Sequence, residues 1–296
     1  MRERSRSTLK VTRHRDATAF LFAARPAYDG DPSTEGLFVH WAEFMAATRV
    51  PREERPSFFS CPGGAALQRP DGPAMIGRST PEAAMALADA FVRDRPRLPG
   101  VIGERRASVA FARRWRERTG IAVHRRTRMS EQRLTEVLPV PEVSGKPRVA
   151  GSADESWLTG MWVAFLAELR LREQLVDLPA RIRGRVAAGQ MRIWDDGERV
   201  ACAGFYPAAS GTARIAPVYT LRAARRRGYA TALVAGLARE LLAGGCREVH
   251  LTADADNPGP NAVYARVGFV PVALQLHLEF AVPDDGPAGA NGAVAC

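Results

Sequence analysis

The stretch RRRGYATALVAGL, residues 225–237, constrains the fold more than any other part of the chain. An apolar strand, ARIAPVYT (213–220), leads into an arginine cluster with a lone glycine, and an apolar run at helical spacing follows at once. Leu233, Val234, Leu237 and Leu241 share one helical face, and Gly244–Gly245 stops the run. A strand feeding a helix through a short turn is the joint of a layered α/β fold. A surface helix needs a capping side chain, not a crown of cations. The opening amides of a helix have no internal acceptor and carry partial positive charge. Successive amides in a tight turn make a nest for an anion. Gly228 tolerates positive φ and lets the backbone approach a bulky group, and Ala230 keeps the next wall small. Arg225, Arg226 and Arg227 add long-range attraction, so the turn suits a pyrophosphate. The plainer alternative is a solvated basic turn capped by Thr231. A Walker A loop is excluded because no lysine follows the glycine, and a GxGxxG fingerprint because only Gly228 stands in the turn.

Around this joint the second half of the chain has a legible order. PRVAG is a short strand. DESWLTGMWVAFLAELRL sets Leu158, Trp162, Phe165 and Leu169 on one helical stripe, with Asp154 near its cap. A shorter helix fits Leu178 to Ala188. QMRIW and RVACAGFY are strands joined by the hairpin signal DDGE. Pro217 cannot donate to a ladder and predicts a bulge or interrupted edge in the next strand. After the arginine turn and its helix come the strand EVHLTA, the short helix PNAVYARVG ending at Gly268, and two last strands in FVPVALQLHLEF. The order β-α-α-β-β-β-α-β-α-β-β predicts an α/β layer on a mixed sheet.

The first half repeats the rhythm more weakly. PSFFSC, AALQR, AMIGRS and GVIG are short strand candidates, PEAAMALADAFVRD is a helix with Pro81 in its first turn, and RASVAFARRWRERTG is a helix ending at Gly120. RRWRERTGIAV and AVYARVGFVPV share an aromatic-bearing helix, a glycine stop and an apolar strand, which reads as a diverged internal duplication. GRSTPEAA stands in the first half where RRRGYATA stands in the second, without the glycine or the arginines. LPVPEVSGKP, 138–147, with three prolines and a glycine, is the candidate linker. The expected division is a domain over 16–140 and another over 146–283, with disordered ends at 1–15 and 284–296.

With 296 residues, 46% of them hydrophobic, two cores of ordinary size can form. The net charge of +10 rests almost wholly on arginine, since Lys10 and Lys146 are the only lysines, and it favours anionic partners. Cys61, Cys202, Cys246 and Cys296 show no CxxC spacing, and the five histidines form no pair at ligand spacing. These features predict reduced thiols in a cytoplasmic protein and no metal. No apolar run reaches the roughly 18 residues of a spanning helix, so no membrane role is expected.

The residues in register with this order resemble the GNAT acetyltransferase family. That family carries (Q/R)-x-x-G-x-(G/A) between its fourth strand and a long helix, matched here by Arg225-Arg226-Arg227-Gly228-Tyr229-Ala230. The family's later Asn, its Tyr seven residues on and its G-F/Y are matched by Asn257, Tyr264, Gly268 and Phe269. The resemblance covers about 145–281, and the whole chain looks like bacterial tandem members whose first domain is a degenerate copy. It implies acetyl-CoA as co-substrate, with the amides of Arg226, Arg227, Gly228, Tyr229, Ala230 and Thr231 on the pyrophosphate and Arg225 leading the turn. It implies that Val218, Tyr219 and Thr220 pair with the pantetheine arm as an added strand would, that Asn257 sits beside the co-substrate, and that Tyr264 points at its sulfur. Two departures stand out: LRAAR replaces the family's strand-to-turn proline, and Arg226 replaces the usual glycine.

The chemistry asks for the same residue types. Acetyl transfer to an amine develops an oxyanion, which a backbone amide stabilises, and expels a thiolate, which a donor assists. Tyrosine, with a pKa of about 10, is protonated at neutral pH and can donate; the structural alternative for Tyr264 is a core position on its helix. The attacking ammonium must lose a proton, and Glu168, Glu198 and Asp254 are the carboxylates considered, each more simply a surface residue, so the base stays unassigned. Trp157, Trp162 and Phe165 line an acceptor pocket or, at helical spacing, the core. RRWRER (113–118) is a charged helix face around an inward Trp115 rather than a nucleic-acid contact. The expected acceptor is a small-molecule or protein amine, and the expected state a monomer or homodimer without nucleic acid. A non-catalytic acyl-CoA-binding or regulatory protein is the first alternative, and a basic nucleic-acid-binding protein the second.

Overall fold

Among the described residues, twelve strands join in one mixed sheet, and helices flank it. The computed structural model describes residues 9–28, 32–47, 56–69, 72–95, 97–169 and 177–281. The first half contributes β1 (Thr12–Arg13), β2 (Ser57–Cys61), β3 (Gly64–Gln68), β4 (Ala74–Ile76), β5 (Gly100–Gly103) and β6 (Val123–Leu134). The second contributes β7 (Lys146–Val149), β8 (Met191–Asp195), β9 (Arg199–Pro207), β10 (Thr212–Thr220), β11 (Glu248–Asp254) and β12 (Val270–Phe280). The helices are α1 (Ala17–Tyr28), α2 (Pro32–Ala47), α3 (Pro81–Asp94), α4 (Arg105–Thr119), α5 (Glu155–Leu169), α6 (Leu178–Ala187), α7 (Tyr229–Ala243) and α8 (Pro258–Val267). The mixed α/β sheet expected from the sequence is what forms.

Both halves run two antiparallel pairings and then one parallel pairing: β2-β3-β4-β5 and β8-β9-β10-β11. The halves are then laced together by exchange of their last strands. The order is β1-β2-β3-β4-β5-β12-β6-β11-β10-β9-β8-β7. β5 pairs with β12 from the far end of the chain, and β11 pairs with β6 from before the linker. β6 and β12 are antiparallel neighbours from Val123↔Phe280 to Arg133↔Val270. Period-two alternation assigns a strand's faces but not its neighbours, so the sequence did not disclose this exchange.

Local signals explain most boundaries. Thr80 caps α3 by accepting from Ala83 N, with Pro81 in the first turn. Gly120 and Gly268 end α4 and α8 at φ of 76° and 112°. The ladder of β10 on β9 slips between Ile215 and Val218, where Pro217 predicted a bulge. Several expectations are corrected. FVPVALQLHLEF forms one strand with a register slip between Pro271 and Ala273, not two strands. The buried stripe of α5 is Leu158, Trp162 and Leu166, while Leu169 faces solvent and Phe165 a cleft. Thr12 and Arg13, in the segment expected to be a mobile arm, pair with Ser60 and Phe59, and residues 1–8 and 284–296 lie outside the described residues. α1 and α2 were not read as elements. They bring Phe20, Phe38, Trp41 and Met45 to a core shared with Tyr206 of β9.

The core nearest the site sits between α7 and β9–β11, where Leu233, Val234, Ala235 and Val249 are fully buried. At about 25 cal/mol per Å² of apolar surface, each buried Leu or Val adds roughly 1.5–3 kcal/mol. This holds α7, and so its N-terminus, against the sheet. The candidate linker has no regular structure over 137–145, yet it is fixed: Val137, Val140 and Val143 pack on the same core. Trp194 Nε1 donates to Ser144 O at 2.8 Å, and Leu138 N donates to Val267 O at 2.9 Å.

Candidate active-site cleft

β10 and β11 pair only at Thr212–Arg214 against Glu248–His250. Beyond that point β10 runs on to Thr220 and β11 to Asp254 with no pairing between them. The strands therefore part like a V. Buried polar groups tie its apex. Arg214 Nη1 donates to Glu131 Oε2 at 3.1 Å and to Thr252 Oγ1 at 2.7 Å, and Thr252 Oγ1 donates to Glu131 Oε2 at 2.7 Å. Glu131 and Arg214 are 0% and 2% exposed, so this pair braces β6 to β10 across β11 out of reach of water.

A cleft of about 740 Å³ lies along the end of β10 that has left β11, lined by β10, α5, α8 and the turn into α7. Val218, Tyr219 and Thr220 form one wall with Phe165 and Glu168 of α5; Asn257 and Tyr264 belong to the other; Arg225, Arg226, Gly228, Tyr229, Ala230 and Thr231 close one end. Of the residues the family resemblance assigned to the co-substrate or to its sulfur, all but Arg227 line the cleft; of the other candidates Phe165 and Glu168 line it, and Glu198, Asp254, Trp157 and Trp162 do not.

The turn has the geometry of an anion nest. Arg226 lies at φ 65° and Gly228 at φ 88°. Gly228 is the N-cap of α7, and no side chain caps the helix, so Thr231 does not serve as expected in the plainer reading. Its backbone ladder begins with Ala232 N donating to Gly228 O at 3.0 Å, which leaves the amides of Tyr229, Ala230 and Thr231 without a helical acceptor. A left-handed arginine is strained where glycine is free, which accounts for the glycine the related motif keeps at the Arg226 position. Gly228 has two local reasons to be glycine: its φ, and a Cβ there would lie 2.7 Å from Val143 Cγ1 of the linker.

The arginines divide. Arg225 Nη2 donates to both oxygens of Glu168, at 2.8 and 3.0 Å, and its Nε to Thr220 O at 3.1 Å. Arg222 Nε and Tyr219 OH also donate to Glu168 Oε1, at 3.0 and 3.1 Å. Arg226 and Arg227 are exposed and make no hydrogen bond or close ion pair among the described residues. Burial pushes the Glu168 carboxyl up, but hydrogen bonds from Arg225, Arg222 and Tyr219 outweigh it and hold it below the usual carboxylate range. A carboxylate clamped by three donors is a poor proton acceptor, and the geometry ties Glu168 to the organisation of the turn. Glu198 is exposed in the β8–β9 turn, and Asp254 Oδ1 accepts from Asp256 N at 2.9 Å.

On the opposite wall, Asn257 caps α8 by accepting from Gly259 N at 3.3 Å. Tyr264 packs edge-on against Phe269, with ring centroids 6.0 Å apart. Burial pushes its hydroxyl up to about 12. The group is thus a protonated donor at any ordinary pH, and the hydroxyl makes no hydrogen bond among the described residues. Tyr229 and Tyr219 face the cleft differently: both rings are buried, Tyr229 OH donating to Asp196 at 2.5 Å. Trp162 is core and Trp157 packs against it. Trp115 is fully buried, and Arg114 beside it forks onto Asp89 at 2.9 and 3.0 Å. Residues that sequence reasoning passed over are Val143, Gln132 and Asn261; Gln132 Nε2 donates to Asn261 Oδ1 at 2.8 Å across 129 positions, which leaves no local signal.

Among the described residues, no group of three or more His, Cys, Asp and Glu could hold a metal, and no helix is long and apolar enough to cross a membrane. Residues 156–269 match the family model described as the acetyltransferase (GNAT) family. A search of curated proteins returned no match. Several solved structures share the fold over nearly the whole chain. A tandem GNAT protein from the clavulanic acid biosynthesis pathway (without AcCoA) is 15% identical at TM-score 0.55, covering 94% of this chain and all (100%) of its own. A GNAT-family acetyltransferase from Colwellia psychrerythraea is 12% identical at TM-score 0.54, covering 92% and 100%. A GNAT-type N-acetyltransferase from Sphaerobacter thermophilus is 18% identical at TM-score 0.53, covering 93% and 96%. The second half of the chain thus carries a GNAT acetyltransferase domain, as the motifs at Arg225–Ala230 and Asn257–Phe269 indicated.

Proposed function

We propose that this chain, with its GNAT-family domain over 156–269, is an acetyl-CoA-dependent N-acetyltransferase that acts on a small-molecule or protein amine, in a cytosolic setting. The observation that carries the reading is the uncapped N-terminus of α7, with Arg226 and Gly228 left-handed before it, at the end of the cleft between β10 and α8. The fit is chemical as well as spatial. Three amides without helical acceptors and two exposed arginines suit a pyrophosphate, and the free edge of Val218, Tyr219 and Thr220 suits an extended amide-bearing arm. Acetyl-CoA supplies the activated acyl group as its thioester.

The remaining work falls to side chains of the chain itself. Tyr264 holds a proton on Oη that burial keeps in place, ready for a departing thiolate. Asn257 fixes the start of α8, which carries that tyrosine. Glu168 holds Arg225 and Arg222 beside the turn, so that the local charge is set before a ligand arrives. The reading makes 146–283 the reacting domain and 16–140 a degenerate copy. In the first half β4 pairs with β5 along its whole length, leaving no V, and α3 opens with a capped amide and a proline.

Titration calorimetry with acetyl-CoA tests the proposal, on the native chain and on Ala230→Glu. Ala230 lines the cleft in the first turn of α7. A glutamate there suits the helix dipole by ~0.5 kcal/mol and keeps the fold, but repels a phosphate. Micromolar binding lost in the variant supports the assignment, and no binding by the native chain sinks it. Tyr264→Phe should keep the affinity and lower thiol release by about a hundredfold; unchanged release, or none from the native chain over a broad amine panel, would favour an acyl-CoA-binding protein instead.

A further inference from the structure

The exchange of β6 into the second half brings a buried glutamine against the reacting wall. Beyond His250, β11 loses its parallel neighbour and is carried by β6 alone, through Leu251↔Gln132 to Asp254↔Met129. The chain then turns through 255–257 into α8. That connection is tied down from two sides. Ala255 N donates to Arg128 O at 2.8 Å, and Arg128 Nε reaches Asp256 Oδ2 at 3.1 Å, both bonds leading back to β6. Within the connection, Asn261 Nδ2 donates to Asp254 O at 2.9 Å and to Asn257 O at 2.7 Å, with Ala255 O at 3.3 Å.

A primary amide has two donor hydrogens and one carbonyl oxygen. Asn261 commits both hydrogens to three carbonyls of the turn, so only its Oδ1 is left to satisfy. Gln132, 3% exposed, supplies the donor to Oδ1 at 2.8 Å. That bond also fixes which way the Asn261 amide faces. In the flipped orientation Oδ1 would oppose the carbonyls of Asp254 and Asn257, and the turn would lose the donors that close it. Asn257 lines the cleft, and Tyr264 follows Asn261 by three residues on α8, one turn along.

We propose that Gln132, a residue of the first half, is a positioning residue for the cleft wall: by fixing the Asn261 amide it sets the Asp254–Asn257 turn and, through α8, the place of the Tyr264 hydroxyl. The chemical part of this inference rests on the acetyltransferase reading; the positioning part does not. The pyrophosphate turn at the other end of the cleft makes no bond to Gln132, so the effect falls on the tyrosine wall and not on the anion nest.

The test uses the full chain with Gln132→Leu, close in volume and without donors, and Gln132→Glu, which has the same shape and loses the donor when ionised. Hydrogen exchange in 255–264 should quicken about tenfold or more in both, with α7 and β8–β10 unchanged. Calorimetry should give an acetyl-CoA Kd within about twofold of native. Thiol release should fall about tenfold in kcat, as small misplacements of a reacting group do. In a Tyr264→Phe background Gln132→Leu should cause no further loss, because the residue acts through that hydroxyl. Unchanged exchange in 255–264 overturns the positioning claim, and so does an undiminished effect of Gln132→Leu on release in Tyr264→Phe. If the native chain binds acetyl-CoA but releases no thiol, the acetyltransferase reading fails, and the exchange experiment decides the positioning claim by itself.

Discussion

Gly228→Ala should destabilise the chain by about 2 kcal/mol, and the size can be built from three contributions. The residue lies at φ 88°, where a side chain costs ~1–2 kcal/mol relative to glycine. Its Cβ would sit 2.7 Å from Val143 Cγ1, roughly 1 Å inside ordinary carbon–carbon contact. Val143 is only partly buried and can yield, so the overlap costs about 1 kcal/mol, the low end for overpacking. The unfolded chain of the alanine variant is stiffer, which returns roughly 0.5 kcal/mol. Urea unfolding followed by tryptophan fluorescence reads the sum. Val143→Ala separates the contributions. By itself it removes a methyl pair from a half-buried site and costs about 1 kcal/mol. Combined with Gly228→Ala it also removes the overlap, so the double variant should be about 1 kcal/mol more stable than additivity predicts. An additive pair would refute the linker's seat over the turn. A cost below ~0.5 kcal/mol for Gly228→Ala would refute the left-handed turn itself.

Three further outcomes follow from the same geometry. Arg226→Gly should raise stability by about 0.5–1 kcal/mol in the same unfolding assay, since relief at φ 65° outweighs the added freedom of the unfolded chain. His277 is largely buried, and burial, then the nearby Arg125 charge, hold its imidazole at about 4 against an ordinary 6.5. The unfolded chain therefore takes up a proton that the folded chain refuses, so this contribution is complete above pH 6.5 and is lost as the pH falls toward 4, by up to about 3 kcal/mol; His277→Gln should flatten that part of the stability profile, and an unchanged profile would refute it. Residues 146–296 expressed without the first half should fail to give a cooperative unfolding transition, because β11 then loses its β6 partner and Arg214 its buried carboxylate; a cooperative, acetyl-CoA-binding fragment would show that β6 is dispensable.

What the sequence disclosed is what short-range physics controls. The period of Leu233, Leu237 and Leu241, the stops at Gly120 and Gly268, and the broken ladder at Pro217 are each written within a few residues of where they act. The arginine turn belongs to the same class, since a strand, a positive φ and a helix start meet there within ten positions. The apolar strand read after Gly120 reached only the first residue of β6, and the rest escaped notice because VHRRTRMSEQRL is rich in charge and polar groups; Glu131 and Gln132 are buried only because Arg214, Thr252 and Asn261 arrive from more than eighty positions away. α1 and α2 were not read although Ala17, Phe20 and Ala24 share one buried face of α1; what covers the two helices is Phe58, Tyr206 and Met129, from strands of both halves. The role of Glu168 was legible as a carboxylate near the site. Its clamp was not, since Arg222, Arg225 and Tyr219 lie more than fifty positions on.

The two halves differ at two matched points, and the differences have one direction. α3 begins with Thr80 accepting from Ala83 N and with a proline that has no amide to offer, while α7 begins with left-handed residues and open amides. β4 keeps its parallel partner for every residue, while β10 gives up β11 after three. A capped helix and a closed ladder are the lower-energy local choices, each worth on the order of 1 kcal/mol per satisfied group. The second half forgoes both at the same place. Its open V is then kept from collapsing by groups outside it: Glu131 at the apex, Gln132 behind the Asn261 turn, Val143 over Gly228. All three precede β7 in the chain. Two of these groups stand on β6 and one in the linker, so the open amides and the parted strands of the second half are framed by residues that precede it in the chain.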